Sequence, residues 1–534
     1  MTIRIILAAL AATCTPAFVN ATQYFVSPTG SDTAAGTSTA PWKTLQHAAD
    51  VVGPGDSVTA RTGNYIGFDL RHSGTAAAPI VFTADPGVLI NSASQVRHDN
   101  NGNFLDGINL EGASYIVVDG FSVTGMPEAG VRSVGFSNDF ASHITVRNVT
   151  STNNGVWGIF TGHVDDLLIE KNVTSGSIEQ HGIYVSNSGD RPVIRDNVIF
   201  NNHGSGIHMN GDLSQGGDGI ISNAIISGNR IYNNAIPSSS PKPAGGSGIN
   251  MDGVQNSRIE NNLVYGNHAS GISLYMIDGA QGSKNNVVVN NTVYEPSDGR
   301  WALNIQTGST GNTALNSILI SDHSFRGAID ISSDSLAGFT SDYNAVISRF
   351  TEDGGNSVLN LAQWQASTGQ DVHSLVATAA NLFVNPSGSD YHLLTNALAK
   401  NAGTSQSAPP ADLDGLPRKA GVAFDIGAYE FGALAGDYNR DGAVTAADYV
   451  LWRKTFGANV TRYAGADGDG SGKIDQPDFL RWRADFAAVA AVGTSLTTSI
   501  PEPASNAALC LALAIIQLAS ARFKLRRQRQ PLLF

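Results

Sequence analysis

A mainly β solenoid, a chain coiled on itself in parallel rungs, is what this sequence predicts, and three observations predict it. A small–apolar–variable–apolar motif recurs as HGIYVSNSGD (181–190), GSGIHMNGD (204–212), GSGINMDG (246–253) and ASGISLYMIDG (269–279). Between these lie RDNVIF (195–200), SGNRIY (227–232) and ENNLVY (260–265), each built around an asparagine. Alternation of this kind means strand, because successive side chains point to opposite faces. Recurrence every few tens of residues means a repeat architecture. Third, glycine is abundant at 58 while charged residues are only 14%, which suits short strands joined by tight turns.

At 534 residues, the chain has room for a long coil and a further module. A net charge of −13 argues against nucleic acid as a partner, which needs a basic face. Removing the two ends deepens the acidity, since Arg4, Arg522, Lys524, Arg526, Arg527 and Arg529 lie there with no Asp or Glu. Cys14 and Cys510 lie in the same ends, so the mature chain is expected to lack disulfides and thiolate chemistry.

Residues 1–21 carry one early arginine, an apolar run from Ile5 to Ala12, and Val19-Asn20-Ala21, the layout of a cleaved export signal. Next, Leu45, Ala48, Ala49 and Val52 fall on one helical face, and Gly53-Pro54-Gly55 stops the helix. Such a helix covers the open end of a strand stack. The segments YFVSPTGSD (24–32), PWKTLQHAAD (41–50) and PGDSV (54–58) together resemble the N-terminus of secreted right-handed parallel β-helix proteins, a group that includes polysaccharide lyases. The resemblance continues through the repeats to DIGAYEF (425–431). It implies a right-handed parallel β-helix over 22–432, with an N-terminal helical cap, a C-terminal closure and a polysaccharide partner.

Aligned on their turns, Asn148, Asn172, Asn197, Asn229, Asn262, Asn291 and Asn316 form one expected column, with Gly120 a turn earlier. Equivalent residues of a parallel coil stack about 4.8 Å apart, so this column can bond side chain to side chain and is scaffold. In the second motif the two apolar residues enter the core and the residue between them points outward. That gives an exposed column of Phe160, Tyr184, His208, Asn250, Ser273, Asn304 and Asp330. Two positions on, Ser186, Asn210, Asp252, Tyr275, Gln306 and Ser332 form another. Side chains of these types hydrogen-bond sugar hydroxyls. Insertions at 211–223 and 235–246 are expected to wall a groove around His208, Asn250 and Asp252.

Polysaccharide lyases remove a proton next to a uronate carboxylate, which requires a base and a neutralising group. In the resembled lyases the base is often Lys or Arg, with Ca2+ as the cation. Here no lysine falls on the outward columns, so the expected base is His208 or Tyr184, with His181 preceding the strand. Arg300 is expected to pair with a substrate carboxylate, and Asp212 and Asp252 to hold a further Ca2+ or orient the histidine. Asn210, Asn250, Tyr275, Asn304 and Asp212 are the expected sugar-binding residues. Two alternatives stay open. One is a glycoside hydrolase using paired carboxylates among Asp212, Asp252, Asp278 and Asp330, although the NTD, GHG and RIK signatures of β-helix polygalacturonases are absent. The other is a non-catalytic polysaccharide-binding or structural solenoid.

Residues 333–432 read as closure, with a short helix at LNLAQWQASTG (359–369) and with Asp425 and Glu430 as turn and packing residues. Two matched loops follow within 433–487. Asp437, Asn439, Asp441 and Asp448 in the first, and Asp467, Asp469, Ser471 and Asp478 in the second, stand at positions 1, 3, 5 and 12. Gly442 and Gly472 take position 6, the carbonyls of Ala443 and Lys473 position 7, and Asp475 adds a carboxylate to the second loop. A helix with Trp452 or Trp482 follows each. This duplicated unit with Asp at position 12 resembles the type I dockerin. The resemblance implies two Ca2+ sites, calcium-dependent folding and a cohesin-type partner met through Ala446, Ala447, Gln476 and Pro477. After a linker (488–500), Pro501-Glu502-Pro503, an apolar run and a basic end resemble the PEP-CTERM sorting signal (501–530). That implies transient membrane retention and a secreted or cell-surface destination.

Overall fold

The computed structural model describes residues 21–95, 105–240, 245–418, 421–432, 434–441 and 443–492. Residues 1–20 of the expected export signal (1–21), the end of the linker and the sorting tail lie outside the described residues. The chain divides into two compact units, residues 1–482 and 483–534. The described part of the second is the continuation from Arg483 of a helix spanning Gln476–Val492.

Three long parallel sheets form the coil of the first unit. Two have 12 strands, starting at Gln23–Val26 and Gly63–Ile66, and the third has 11, from Phe68–Leu70 to Phe350–Thr351. One rung shows how the sequence dictates the coil. Val193–Arg195 enters the first sheet, Asp196 turns the chain in a left-handed conformation (φ 58°), Val198–Phe200 enters the second, and Ile207–Asn210 enters the third. Ile159, Ile183, Ile207, Ile249 and Ile272 pair in register and are fully buried. The small residue before each isoleucine is needed for close approach: a Cβ on Gly206 would sit 2.4 Å from Ile231 Cγ2 and 2.8 Å from the Gly248 carbonyl.

The asparagine ladder differs from the expected column by one residue at both ends. Asn172, Asn197, Asn229, Asn262 and Asn291 each donate their backbone N–H to the next rung, through Asn197, Asn229, Asn262 and Asn291 Oδ1 and then Ser317 Oγ. The ladder starts at Val149, whose N–H goes to Asn172 Oδ1, and ends with Ser317 donating to Asn344. Asn148 and Asn316 instead share the preceding left-handed position with Gly120, Lys171, Asp196, Gly228, Asn261 and Asn290. Asparagine suits both columns, one through its amide and the other through its tolerance of positive φ. A second ladder, Asn202–Asn234–Asn267, ends on the fully buried Glu295.

Both ends of the coil are closed. A helix over Leu45–Val51 buries Leu45, Ala48 and Ala49, with Thr44 as N-cap. At the other end the helix Leu361–Thr368, capped by Asn360 and Gln363, stacks Trp364 on Phe350 at 5.1 Å. Behind it Arg418, fully buried, pairs with Glu430 and donates to the Gly427 and Ala428 carbonyls.

Candidate functional site

The third sheet presents the outward column in register. Asp69, Asn109, Arg132, Phe160, Tyr184 and His208 follow one another, then Asn250, Ser273, Asn304, Asp330 and Thr351. The column is thus longer than the repeats alone outline. It is also more recessed, since Ser273 and Asp330 are buried and Tyr184, His208, Asn250 and Asn304 half-buried. In the second column Ser186, Asn210, Asp252 and Tyr275 align, and the first three are buried because a loop wall covers them.

That wall consists of two loops. The segment after Asn210 bonds to the segment after Tyr275, Leu213 N–H to the Asp278 carbonyl and Ala280 N–H to the Gly219 carbonyl. Asp252 holds it in place by accepting the backbone N–H groups of Ile277, Asp278 and Gly279 at 2.9–3.0 Å. A carboxylate with three such partners is a staple for the loop, which replaces its expected part as a Ca2+ ligand or histidine orienter. Asp212 is likewise drawn into its own turn, accepting the N–H and hydroxyl of Ser214. Across the groove, Ser238 Oγ donates to the Ile178 carbonyl and His203 meets the Ile236 carbonyl.

His181, His208, Tyr184 and Tyr275 converge here. Ser205 N–H donates to His181 Nδ1 at 2.9 Å, so the proton of neutral His181 sits on Nε2. His181 Nε2 lies 2.9 Å from His208 Nδ1, which must therefore accept, and the His208 proton sits on Nε2. That Nε2 faces the Tyr275 oxygen at 3.5 Å, and Asn250 Nδ2 donates to the same oxygen at 2.7 Å. Neither imidazole keeps an open acceptor nitrogen, so His208 stands as a donor where a base was expected. Burial keeps His208 neutral, pulling it down to about 4. Burial also holds His181 well below the usual range, helped by the neighbouring histidines. It raises both tyrosines, Tyr275 further through the charge of Asp252. Asn210 Nδ2 reaches Tyr184 Oη at 3.4 Å and Asp278 Oδ2 at 3.3 Å.

Arg300 is not part of this cluster. It lines a separate cleft with Trp301, Asn304 and Asp330, further along the column. Sequence reasoning also passed over Trp157, which stacks on Phe160 at 4.5 Å, extends the aromatic surface toward Tyr184, and donates Nε1–H to Gln180. Only its place just upstream of Phe160 could have marked it.

In the C-terminal loops the carboxylates of Asp467, Asp469 and Asp478 converge, their closest oxygens within 4.8 Å of one another. Asp475 Oδ1 beside them is buried without a hydrogen-bond partner. Burial, then repulsion from Asp469 and Asp467, pushes Asp478 up to about 6. Three carboxylates crowded together in this way suit a hard divalent cation. In the first loop Asp448 accepts the N–H groups of Asn439 and Thr445, and Asp437 and Asn439 accept that of Asp441. Ala443 N–H donates to Asp441, and Ser471 bridges Asp467 and the Lys473 carbonyl. The two helices, Ala446–Thr455 and Gln476–Val492, are locked reciprocally: Trp452 Nε1–H donates to the Asp475 carbonyl and Trp482 Nε1–H to that of Thr445. Among the described residues this second loop is the one cluster of three His, Cys, Asp or Glu ligand atoms close enough to share an ion.

Comparison with known proteins agrees with the coiled fold. Residues 24–175 match a family model described as Pel9A-like, right handed beta helix region, and residues 177–340 one described as right handed beta helix region. The chain is 28% identical over 382 residues to the uncharacterized protein YwoF of Bacillus subtilis (strain 168), covering 55% of this chain and 79% of that protein. Among solved structures, the pectate lyase Pel9A is similar with a TM-score of 0.51 at 17% identity, covering 77% of this chain and 96% of that one. A rhamnogalacturonan lyase is similar with a TM-score of 0.36 at 16% identity, covering 68% and 90%. The molecule is a right-handed parallel β-helix with a pectate-lyase-like fold.

Proposed function

We propose that the chain is an exported polysaccharide lyase whose reaction centre is Tyr275, supported by Asn250, His208 and His181. The observation that carries this reading is the directed hydrogen-bond chain from Ser205 N–H through both imidazoles to the Tyr275 oxygen. Two donors aimed at one phenolic oxygen favour its phenolate and work against the upward push of burial and of Asp252. The phenolate takes the proton from the carbon next to a uronate carboxyl group, and that C–H electron pair becomes the new double bond. The glycosidic C–O bond at the β position breaks, and its oxygen takes the proton back from Tyr275. Tyr184, Asn210 and the Trp157–Phe160 surface line the path of the sugar chain. Hydrolysis by paired carboxylates is less favoured, because two of its four carboxylates, Asp252 and Asp212, are committed to loop backbone. The lyase activity of the structural relatives Pel9A and the rhamnogalacturonan lyase belongs to those proteins.

The C-terminal pair of loops is proposed to be a dockerin-like module. Asp467, Asp469, Asp475 and Asp478 would hold Ca2+ in the second loop, and Asp437, Asn439, Asp441 and Asp448 in the first. A protein partner of cohesin type would meet the exposed Ala446, Ala447, Gln476 and Pro477. Export and sorting through the two ends place the enzyme outside the cell or on its surface.

The test is to incubate full-length protein with uronic-acid and neutral polysaccharides, with Ca2+ and with chelator. Ultraviolet absorbance from an unsaturated uronate is the expected product signal. New reducing ends without it would show a hydrolase instead, and full activity in Tyr275→Phe would refute the assignment of the centre.

A further inference from the structure

The far end of the same stripe carries a cluster that the proposed reaction does not use. Asn304 follows His208 along the column by three strand pairings, about 14 Å at roughly 4.8 Å per rung. There Arg300, Trp301, Asn304, Phe325, Arg326 and Asp330 line an open cleft of about 270 Å3. That volume is near the low end for a small-molecule site.

Its chemistry is unlike the rest of the surface. Trp301 is buried and Phe325 is 44% exposed, and their rings meet edge-on with centroids 6.4 Å apart. This gives the cleft an apolar wall. Arg300 is exposed and Arg326 half-buried, and among the described residues neither forms an ion pair. Two guanidinium groups thus lie side by side in one cleft with no carboxylate paired to either. Inside the cleft, Asp330 is buried and accepts a hydrogen bond from Thr351 Oγ1. His323 accepts the N–H groups of Phe325 and Arg326 at Nδ1, and burial and nearby arginine charge lower its affinity for a proton. Asp330 is the one carboxylate lining the cleft; the charge of Asp353, next to the lining Gly354, also reaches it, but that carboxylate is turned to the backbone N–H groups of Asn356 and Ser357. Arg300 and Arg326, with the charge of Arg349 felt nearby at His323, leave the cleft favouring an anion. Asn304, tied to Gln306 and Ser273, supplies a neutral polar floor.

We propose that this cleft is a recognition subsite for a carboxylate-bearing sugar residue of the chain that reacts at Tyr275. Arg300 and Arg326 take the carboxylate, and Trp301 with Phe325 takes the face of the ring. The proposal rests on the polysaccharide reading above and deepens it. Arg300 becomes a specificity-determining residue acting three rungs from the reaction centre.

The test uses the full chain carrying His208→Ala, so that bound sugar is cut slowly, titrated calorimetrically with hexagalacturonate and with its methyl ester at low salt. The acid is expected to bind more tightly than the ester. Arg300→Gln/Arg326→Gln in that background should weaken the acid about tenfold or more, as losing charged hydrogen bonds does, and remove its advantage over the ester. Arg300→Gln alone changes an exposed side chain, so its effect survives any folding fault of the double variant. Arg300→Lys/Arg326→Lys should keep part of the preference. If the parent binds the acid but the glutamine variants stay within twofold of it, the subsite is refuted while the lyase reading stands. If the parent binds neither sugar, the polysaccharide reading fails and the subsite falls with it.

Discussion

The rings of Tyr184 and His208 stack with centroids 4.8 Å apart and planes 9° from parallel, as neighbours on adjacent rungs. This packing, with His181 edge-on at 4.5 Å, shields one side of an imidazole in the middle of the polar stripe. It sets the pH response of the fold.

Because burial lowers His208 from 6.5 to about 4, the unfolded chain binds a proton in that window that the folded chain refuses. Stability therefore falls as pH drops from about 6.5 toward 4, and this group contributes no pH dependence above the window. His181 is lowered in the same sense. Thermal unfolding followed by circular dichroism from pH 7 to 4 should show a falling midpoint, with a flatter profile in His208→Gln. An identical profile in that variant would contradict the assignment.

Tyr275 is raised above its ordinary value of 10 by burial and by Asp252, so its phenolate is scarce at neutral pH and gains population only as pH rises. Turnover should climb into the alkaline range, and Tyr275→Phe should lower kcat by about 10²–10⁴-fold. A rate profile with its half-point between pH 6 and 7 would assign the proton transfer to an imidazole instead.

Asp252→Asn should loosen the loop 277–279. Three backbone N–H groups share its buried carboxylate, and the weakened set should cost about 1–3 kcal/mol. Urea unfolding gives the loss, and limited proteolysis should show new cleavage at 276–282. Asp212→Asn, in an exposed turn, should shift the midpoint far less.

Asn229→Ala and Asn148→Ala separate the two asparagine columns. Asn229 is fully buried and donates to Asn262 and to the Ile194 carbonyl while accepting from Asn197. Its loss should cost ~3 kcal/mol through stranded partners. Asn148 is exposed at φ 53°, and its replacement should cost about 1 kcal/mol for left-handed backbone. Equal losses in denaturant titrations would put both residues in one column.

Removal of Ca2+ by chelator should change the fluorescence of Trp452 and Trp482, which bridge the two loop–helix units, while strand circular dichroism from the coil persists. Asp467→Ala should mimic chelation. Unchanged fluorescence would argue against a metal-dependent fold.

The outward column from Phe160 to Asp330 was legible because strand alternation and turn residues are local properties repeated at each coil. The asparagine ladder was legible in its middle and displaced at its ends, since two adjacent positions both accept asparagine for different reasons. Arg300 stood out as an isolated cation near the stripe, but its partners Arg326 and Phe325 come from the following coil and Trp301 carries no motif. The second ladder ending on Glu295 was hidden because its asparagines fall outside the motif used to align the repeats.

The sequence by itself determined a coil of parallel rungs, its apolar interior and the polar stripe on one face, through patterns a few residues long. Only the tertiary structure decided which polar groups of that stripe are already committed. Asp252 is spent on loop backbone, and both imidazoles on Ser205 and on each other, by bonds to residues more than twenty positions away. A side chain's chemistry depends on which of its lone pairs and protons remain unpaired, and distant rungs settle that only once they stack.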